Sequence, residues 1–326
     1  MSDERWLITG ALGCIGAWAC RQLVREGHDV IAYDLGDDTR RLELVMDAGE
    51  RSSVRLVSGD ITDLEALTSV VERERITHIV HLAALLLPIA RADPPRGALV
   101  NVVGTVNVFE AASRSDVQGV AYASSAAAYD RADGVHVTED ADGHPLNHYG
   151  VHKLANEGAA RVYWHDAGLA SVGLRPHVVY GPGRDHGMTA GPTLAIAAAV
   201  AGDPYEIPFG GRAQFQYAPD TAGLFIKGAR SAAAGKRLID VLAIHWYPED
   251  MGDSRINNGN VTNGGSAKDI EARLQAPRSL WDTAYLENSW IPSAMTGGKP
   301  VYILARTLKS IDTAWPGTRL ALTEYN

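Results

Sequence analysis

Cysteine is nearly absent from this chain of 326 residues, which has only Cys14 and Cys20. Six positions apart on one expected helix, the two face different ways. They read as small buried thiols rather than a disulfide, which fits a reducing, cytoplasmic setting. Positive charge is also short, with 30 Lys and Arg against 39 Asp and Glu and a formal net charge of −9. Nucleic-acid phosphates need a basic face, so nucleic acid is disfavoured as a partner. Long apolar runs are missing too. The longest, residues 82–90 and 194–201, are too short or are broken by proline, so no membrane span is expected. The first residues, Met1-Ser2-Asp3-Glu4, are acidic where a secretory signal requires basic ones. With 46% apolar and 21% charged residues, the composition is that of a globular protein with a sizeable core.

What is present is an alternation. Short apolar runs at 6–9, 29–33, 54–57, 79–82, 119–123 and 170–174 read as strands. Helical patterns lie between them at 16–26, 40–48, 64–74, 99–113 and 149–167. Strands separated by helix-length segments predict βαβ units, hence an α/β fold with a doubly wound, Rossmann-like parallel sheet. The texture changes near Gly235. Four of seven tryptophans, and six asparagines against four before, lie in the remaining 91 residues. We therefore divide the chain at 1–235 and 236–326. The second part carries an expected strand at 239–246, a helix at 302–312 and a strand at 319–324, a βαβ unit able to extend a parallel sheet.

The first strand runs into Thr9-Gly10-Ala11-Leu12-Gly13-Cys14-Ile15-Gly16. Gly10 suits a tight turn, Gly13 a close approach of the backbone to a pyrophosphate, and Gly16 tight helix–strand packing. The helix that follows offers free N–H groups to phosphate. Asp34 ends the second strand, where a carboxylate binds the adenosine ribose and repels a 2′-phosphate, so the expected cofactor is NAD. Arg40 and Arg41 lie close enough to keep NADP in view.

Tyr149 and Lys153 stand four residues apart, on one face of a helix. A phenol of ordinary pKa near ~10 is a poor base at neutral pH, and a nearby cation would bring it into range. Ser125, just past the strand 119–123, is placed to hold a substrate oxygen beside Tyr149. Ser124 reads more readily as the residue capping the turn. His81, His144 and His148 read as strand-end and loop residues.

Taken together, these segments resemble the extended short-chain dehydrogenase/reductase superfamily, in its epimerase/dehydratase branch, from Trp6 to about Ala234. The resemblance rests on T-G-x-x-G-x-x-G, Gly59-Asp60-Ile61-Thr62-Asp63, His81-Leu82-Ala83-Ala84 and Asn101-x-x-Gly104-Thr105-x-Asn107. It also rests on Tyr149-x-x-x-Lys153 and the run from Arg175 to Gly183. It implies a catalytic triad of Ser125, Tyr149 and Lys153, with Lys153 also binding the nicotinamide ribose. Asp60 and Ile61 would flank the adenine, Ala83 and Ala84 would line the cofactor cleft, and Pro176 and Val178 would lie against the nicotinamide. Cys14 and Ile15 join the glycines at the pyrophosphate. Asn101 is expected to be structural. The implied reaction is NAD-dependent oxidation or epimerisation of a small polar or sugar-like substrate, in a homodimer formed by the helices 99–113 and 149–167.

From about Lys236 the resemblance changes, and the chain is similar to part of a family 44 glycoside hydrolase barrel. That likeness implies a chimera and points to Glu324 as the counterpart of a nucleophile. A retaining glycosidase also needs an acid/base carboxylate, which that family carries on an earlier strand outside the resemblance. No cellulase activity is expected; the alternatives are a silent NAD-binding chimera or a glycan-binding protein.

Overall fold

The computed structural model describes residues 4–129, 143–209, 214–235 and 239–242, all within one compact unit, Met1–Ile244. Strands β1 (Arg5–Thr9), β2 (Asp29–Asp34), β3 (Val54–Ser58), β4 (His78–His81), β5 (Gly119–Ala123) and β6 (Ser171–Leu174) form a parallel sheet. A seventh strand, labelled β9 (Ile239–Leu242), completes it. A separate parallel pair joins β7 (Val178–Tyr180) to β8 (Phe215–Tyr217). The large sheet runs β3-β2-β1-β4-β5-β6-β9. This is the Rossmann-like fold that the alternating pattern predicts, with the strand order reversing between β1 and β4.

Both faces of the sheet are covered, and period-two alternation sorts the side chains between two cores. Trp6 and Ile8 of β1, with Val30 and Ala32 of β2, enter one core. Leu7, Ile31 and Tyr33 enter the other. The first core is closed by α1 (Cys14–Arg25), α2 (Arg40–Val45) and α10 (Ala218–Gly235). The second is closed by α4 (Leu64–Arg73), α7 (Gly104–Arg114) and α8 (His148–Ala167). Each fully buried Leu, Ile or Phe contributes roughly 1.5–3 kcal/mol, so the two cores hold the sheet rigid under whatever lies at its edge.

The helix expected at 40–48 is two helices, α2 and α3 (Ala48–Ser52). Met46 is extended, and Asp47 opens a capping box with Glu50, which ends one helix and starts the next. The helix expected at 99–113 begins as a π-helical stretch, Leu99–Val103, before α7. Four further helices, α5 (Leu87–Ala92), α6 (Pro94–Ala98), α9 (Gly191–Ala201) and α10, have no counterpart in the sequence expectation. The helix expected to begin at Tyr149 begins one residue earlier, at His148, which is helical rather than in a loop.

The first four residues of the strand expected at 239–246 form β9, parallel to β6, with Val172 opposite Ile239 and Leu174 opposite Leu242. The rest of that expectation, including the helix at 302–312, the strand at 319–324 and Glu324, lies outside the described residues. No helix among the described residues is long and apolar enough to cross a membrane.

Candidate functional site

Gly10 follows β1 with φ +70, and a Cβ there would come within 2.7 Å of the Ala83 nitrogen. The turn after β1 therefore crosses directly over the end of β4, at the switch point of the sheet. Gly16 is equally constrained, since a Cβ would lie 2.3 Å from the Gly10 carbonyl oxygen. Gly13 opens α1 without any side-chain cap, so the first-turn amides face the cleft with no competing side chain. Cys14 and Ile15 are the first residues of that turn.

Asp34, at the end of β2, accepts from the Leu12 amide at 2.9 Å and from the Gly36 amide at 3.3 Å, which ties the carboxylate to the glycine turn. Both nearby arginines are committed elsewhere. Arg40 binds Asp38 at 2.6 Å. Arg41 donates to the Leu12 carbonyl at 3.0 Å, to the Gly183 carbonyl at 3.1 Å and to Asp185 at 2.6 Å. With the Asp34 carboxylate at the end of β2 and both Arg40 and Arg41 paired, these residues fit NAD rather than NADP.

Asp60 gives one carboxylate oxygen to the Thr62 amide at 2.8 Å, and the Ile61 side chain is buried against Gly104. Ala83 and Ala84 follow β4 and are half-buried. Pro176 accepts from the Ala126 amide at 3.0 Å, which brings the chain after β6 against the turn that follows β5. Val178 starts β7.

Asn147 caps α8 by accepting from the Gly150 amide at 2.9 Å, and Gly168 at φ +67 ends the helix. Tyr149 and Lys153 therefore occupy adjacent turns, with the Lys153 ammonium 5.4 Å from the centre of the Tyr149 ring. Lys153 also donates to the Ala123 carbonyl at 2.6 Å, which anchors α8 to the end of β5. Burial pushes Lys153 down to about 8, opposed by the charge of Glu157. Tyr149 is half-buried, and burial around its phenol pushes it up to about 12. A hydrogen bond with Ser125 and the charge of Arg184 pull it back. Ser125, Tyr149 and Lys153 thus converge.

One local reading is reversed. Ser125, not Ser124, caps the short 3-10 turn Ala126–Ala128, accepting from the Ala127 amide at 3.1 Å. Ser124 is buried and donates to Glu157. Glu157 in turn holds Arg175 through two bonds of 2.7 and 2.6 Å, and the Arg175 guanidinium lies 4.1 Å from the centre of the Tyr129 ring. Sequence reasoning passed over Glu157, although its position one turn beyond Lys153 was a signal.

A second buried network lies beneath the cleft. His81 bonds Thr9 at 2.7 Å and Thr105 at 2.9 Å, and Asn156 of α8 reaches Thr105 at 3.0 Å. Burial pushes His81 down to about 3, so it is a neutral strut, as its strand-end position suggests. Asn101, in the π-helical stretch, is structural as expected. Its amide accepts from Leu85 N at 2.7 Å and donates to Leu85 O at 2.9 Å. No cluster of metal-ligating side chains occurs among the described residues.

A glycine turn at the switch point, an acidic strand end and a Ser–Tyr–Lys group on the neighbouring strand and helix define a dinucleotide-dependent α/β protein. The model of the NAD dependent epimerase/dehydratase family matches residues 6–241, and the chain belongs to this family. It is 31% identical over 240 residues to UDP-glucose 4-epimerase of Mycolicibacterium smegmatis, covering 72% of this chain and 75% of that protein. It superimposes with a TM-score of 0.61 on UDP-glucose 4-epimerase of Thermus thermophilus in complex with NAD, at 26% identity, covering 69% of this chain and 74% of the other. A 91-residue stretch is 50% identical to endoglucanase A of Paenibacillus lautus, covering 28% of this chain but only 12% of that protein.

Proposed function

We propose that the protein is an NAD-dependent epimerase acting on a hydroxyl of a sugar nucleotide, with Tyr149 as acid/base. The observation that carries this reading is the convergence of the Tyr149 phenol, the Ser125 hydroxyl and the Lys153 ammonium beside the glycine turn. The similarity to two UDP-glucose 4-epimerases supports the substrate class.

Bound NAD would supply the oxidising and reducing equivalents of the reaction. Asp34 would hold the adenosine ribose, the amides of Gly13, Cys14 and Ile15 the pyrophosphate, and Lys153 the nicotinamide ribose. Asp60, Ile61, Ala83, Ala84, Pro176 and Val178 would enclose the rings. Ser125 would hold the substrate oxygen while Tyr149 removes its proton during oxidation and returns it during reduction. In the free protein the phenol keeps its proton, because burial dominates its environment. The Lys153 cation lowers the cost of forming the phenolate when substrate excludes water from the site.

Two further readings belong with this one. Exposed Leu99 and Val103 on the π-helical stretch, with Val151 and Val162 on α8, offer an apolar face for a homodimer. The free Cys14 and Cys20 fit a cytoplasmic setting. The endoglucanase match is as long as the 91 residues that follow Gly235. It supports the reading that 1–235 and 236–326 have separate origins and leaves an NAD-binding but silent chimera as the rival.

Titration of NADH fluorescence followed by incubation of the NAD-loaded protein with UDP-glucose separates these readings. Binding with appearance of UDP-galactose or another epimer supports the epimerase. Binding without turnover of any nucleotide sugar points to the silent chimera. Absence of NADH binding together with hydrolysis of carboxymethylcellulose overturns the proposal.

A further inference from the structure

The segment after β7 turns through three glycines of positive φ, Gly181, Gly183 and Gly187. It is pinned to the glycine turn from several directions. The Trp18 indole donates to the Pro182 carbonyl at 2.9 Å. Arg41 bridges the Leu12 carbonyl to the Gly183 carbonyl and Asp185. A Cβ on Gly183 would sit 3.7 Å from the Cys14 sulfur and 3.8 Å from the Cys14 Cα. The residue after Gly183 is therefore delivered to the N-terminus of α1, next to the turn that receives the pyrophosphate.

That residue is Arg184. Its backbone amide bonds Gly181 O at 3.0 Å, and one guanidinium nitrogen, Nη2, bonds Thr189 at 2.8 Å. Its Nε is buried and has no partner. No carboxylate among the described residues pairs with it, because adjacent Asp185 is held by Arg41 and His186. The charge of Arg184 acts on both the Cys14 thiol and the Tyr149 phenol, pulling each down against burial. The cation thus lies within electrostatic reach of both the first turn of α1 and the Tyr149 phenol. A partly buried cation with an unbonded N–H is costly unless a ligand supplies the missing anion.

We propose that Arg184 binds the diphosphate of a nucleotide entering this cleft, completing the anion site that the glycine turn and the α1 N-terminus begin. The inference rests on the epimerase reading, in which two diphosphates reach the cleft, that of NAD and that of the sugar nucleotide. A guanidinium suits either, since its N–H groups match paired phosphate oxygens.

The test compares wild type with Arg184→Met and Arg184→Lys. NADH affinity is read by fluorescence and UDP affinity by calorimetry, with adenosine and uridine as ligands that lack the diphosphate and thermal unfolding as a check on folding. Arg184→Met is expected to weaken NADH or UDP by about tenfold or more, Arg184→Lys by less, and the nucleosides not at all. Loss confined to NADH assigns the contact to the cofactor; loss confined to UDP assigns it to the substrate. Unchanged affinity for both in a folded Arg184→Met protein overturns the role of Arg184 alone. Equal loss for nucleosides and diphosphates also overturns it, as general damage to the cleft. Wild type that binds neither NADH nor UDP overturns the inference and the epimerase reading together.

Discussion

Tyr149 is pulled in opposite directions by its neighbours. Burial raises its pKa to about 12, while Ser125 and Arg184 lower it. The phenol is thus a strong proton holder at rest, and the proposed work as a base would depend on groups arranged around it. Tyr149→Phe removes the transferable proton and leaves the ring. The expected result is a loss of turnover of roughly 10²–10⁴-fold, the usual contribution of a positioned acid/base. NADH affinity should stay close to wild type, since the glycine turn and Asp34 are untouched. Comparable losses of kcat and of cofactor binding would remove Tyr149 from the acid/base role. The Tyr149–Lys153 pairing was legible because one helical turn separates the two in sequence. The roles of Ser124 and Ser125 were not. Which hydroxyl caps the turn is decided by Glu157, 33 residues after Ser124, which takes Ser124 into the core.

At the scale of elements, α8 carries the site and is fixed by contacts from distant parts of the chain. Its Glu157 pairs with Arg175 at the end of β6, with the two side chains 1% and 5% exposed. Removing one partner of such a pair strands a buried charge, at a cost of roughly 3–5 kcal/mol. Glu157→Ala should therefore lower the urea midpoint strongly. Replacing both partners with apolar residues, Glu157→Met with Arg175→Leu, should recover most of the loss. A midpoint unchanged by Glu157→Ala would show that the pair does not brace the helix. Period-two and helical patterns exposed most of the sheet and α1, α4, α7 and α8, because those elements bury one stripe or alternate between two cores. What they did not expose was set by local chemistry or distant pairing. The Asp47 capping box cuts one expected helix into two. The Arg41–Asp185 contact joins residues 144 apart, so the strap that places Arg184 has no local signature.

The whole molecule sums these buried groups into a pH dependence of stability. His78 and His81 are pushed by burial to about 4 and about 3, well below the unfolded value near ~6.5. As pH falls from ~6.5 toward ~4, the unfolded chain takes up two protons that the folded one refuses. Stability should fall by about 1.4 kcal/mol per pH unit for each histidine. Lys153 acts at the other end. Burial lowers it to about 8 against ~10.4 unfolded, so between those values the unfolded chain again holds the extra proton and the Lys153 contribution to stability rises with pH. Above ~8.5 the sign turns, because burial raises Cys14 to about 11 and Cys20 to about 12, and the two unfolded thiols lose protons first and outweigh Lys153. Above ~10 Tyr33, Tyr149 and Tyr163, raised by burial to about 12, act in the same direction. Maximum stability is thus expected slightly on the alkaline side of neutral, near pH ~8–9 by these pKa values. Urea unfolding followed by tryptophan fluorescence at pH 5, 6, 7, 8 and 9 should show midpoints rising most steeply at the acid end. Midpoints that are flat between pH 5 and 6.5 would mean that His78 and His81 already hold protons in the folded state. The neutral His81 strut between Thr9 and Thr105, which keeps the floor of the cleft in place, would then need a different account.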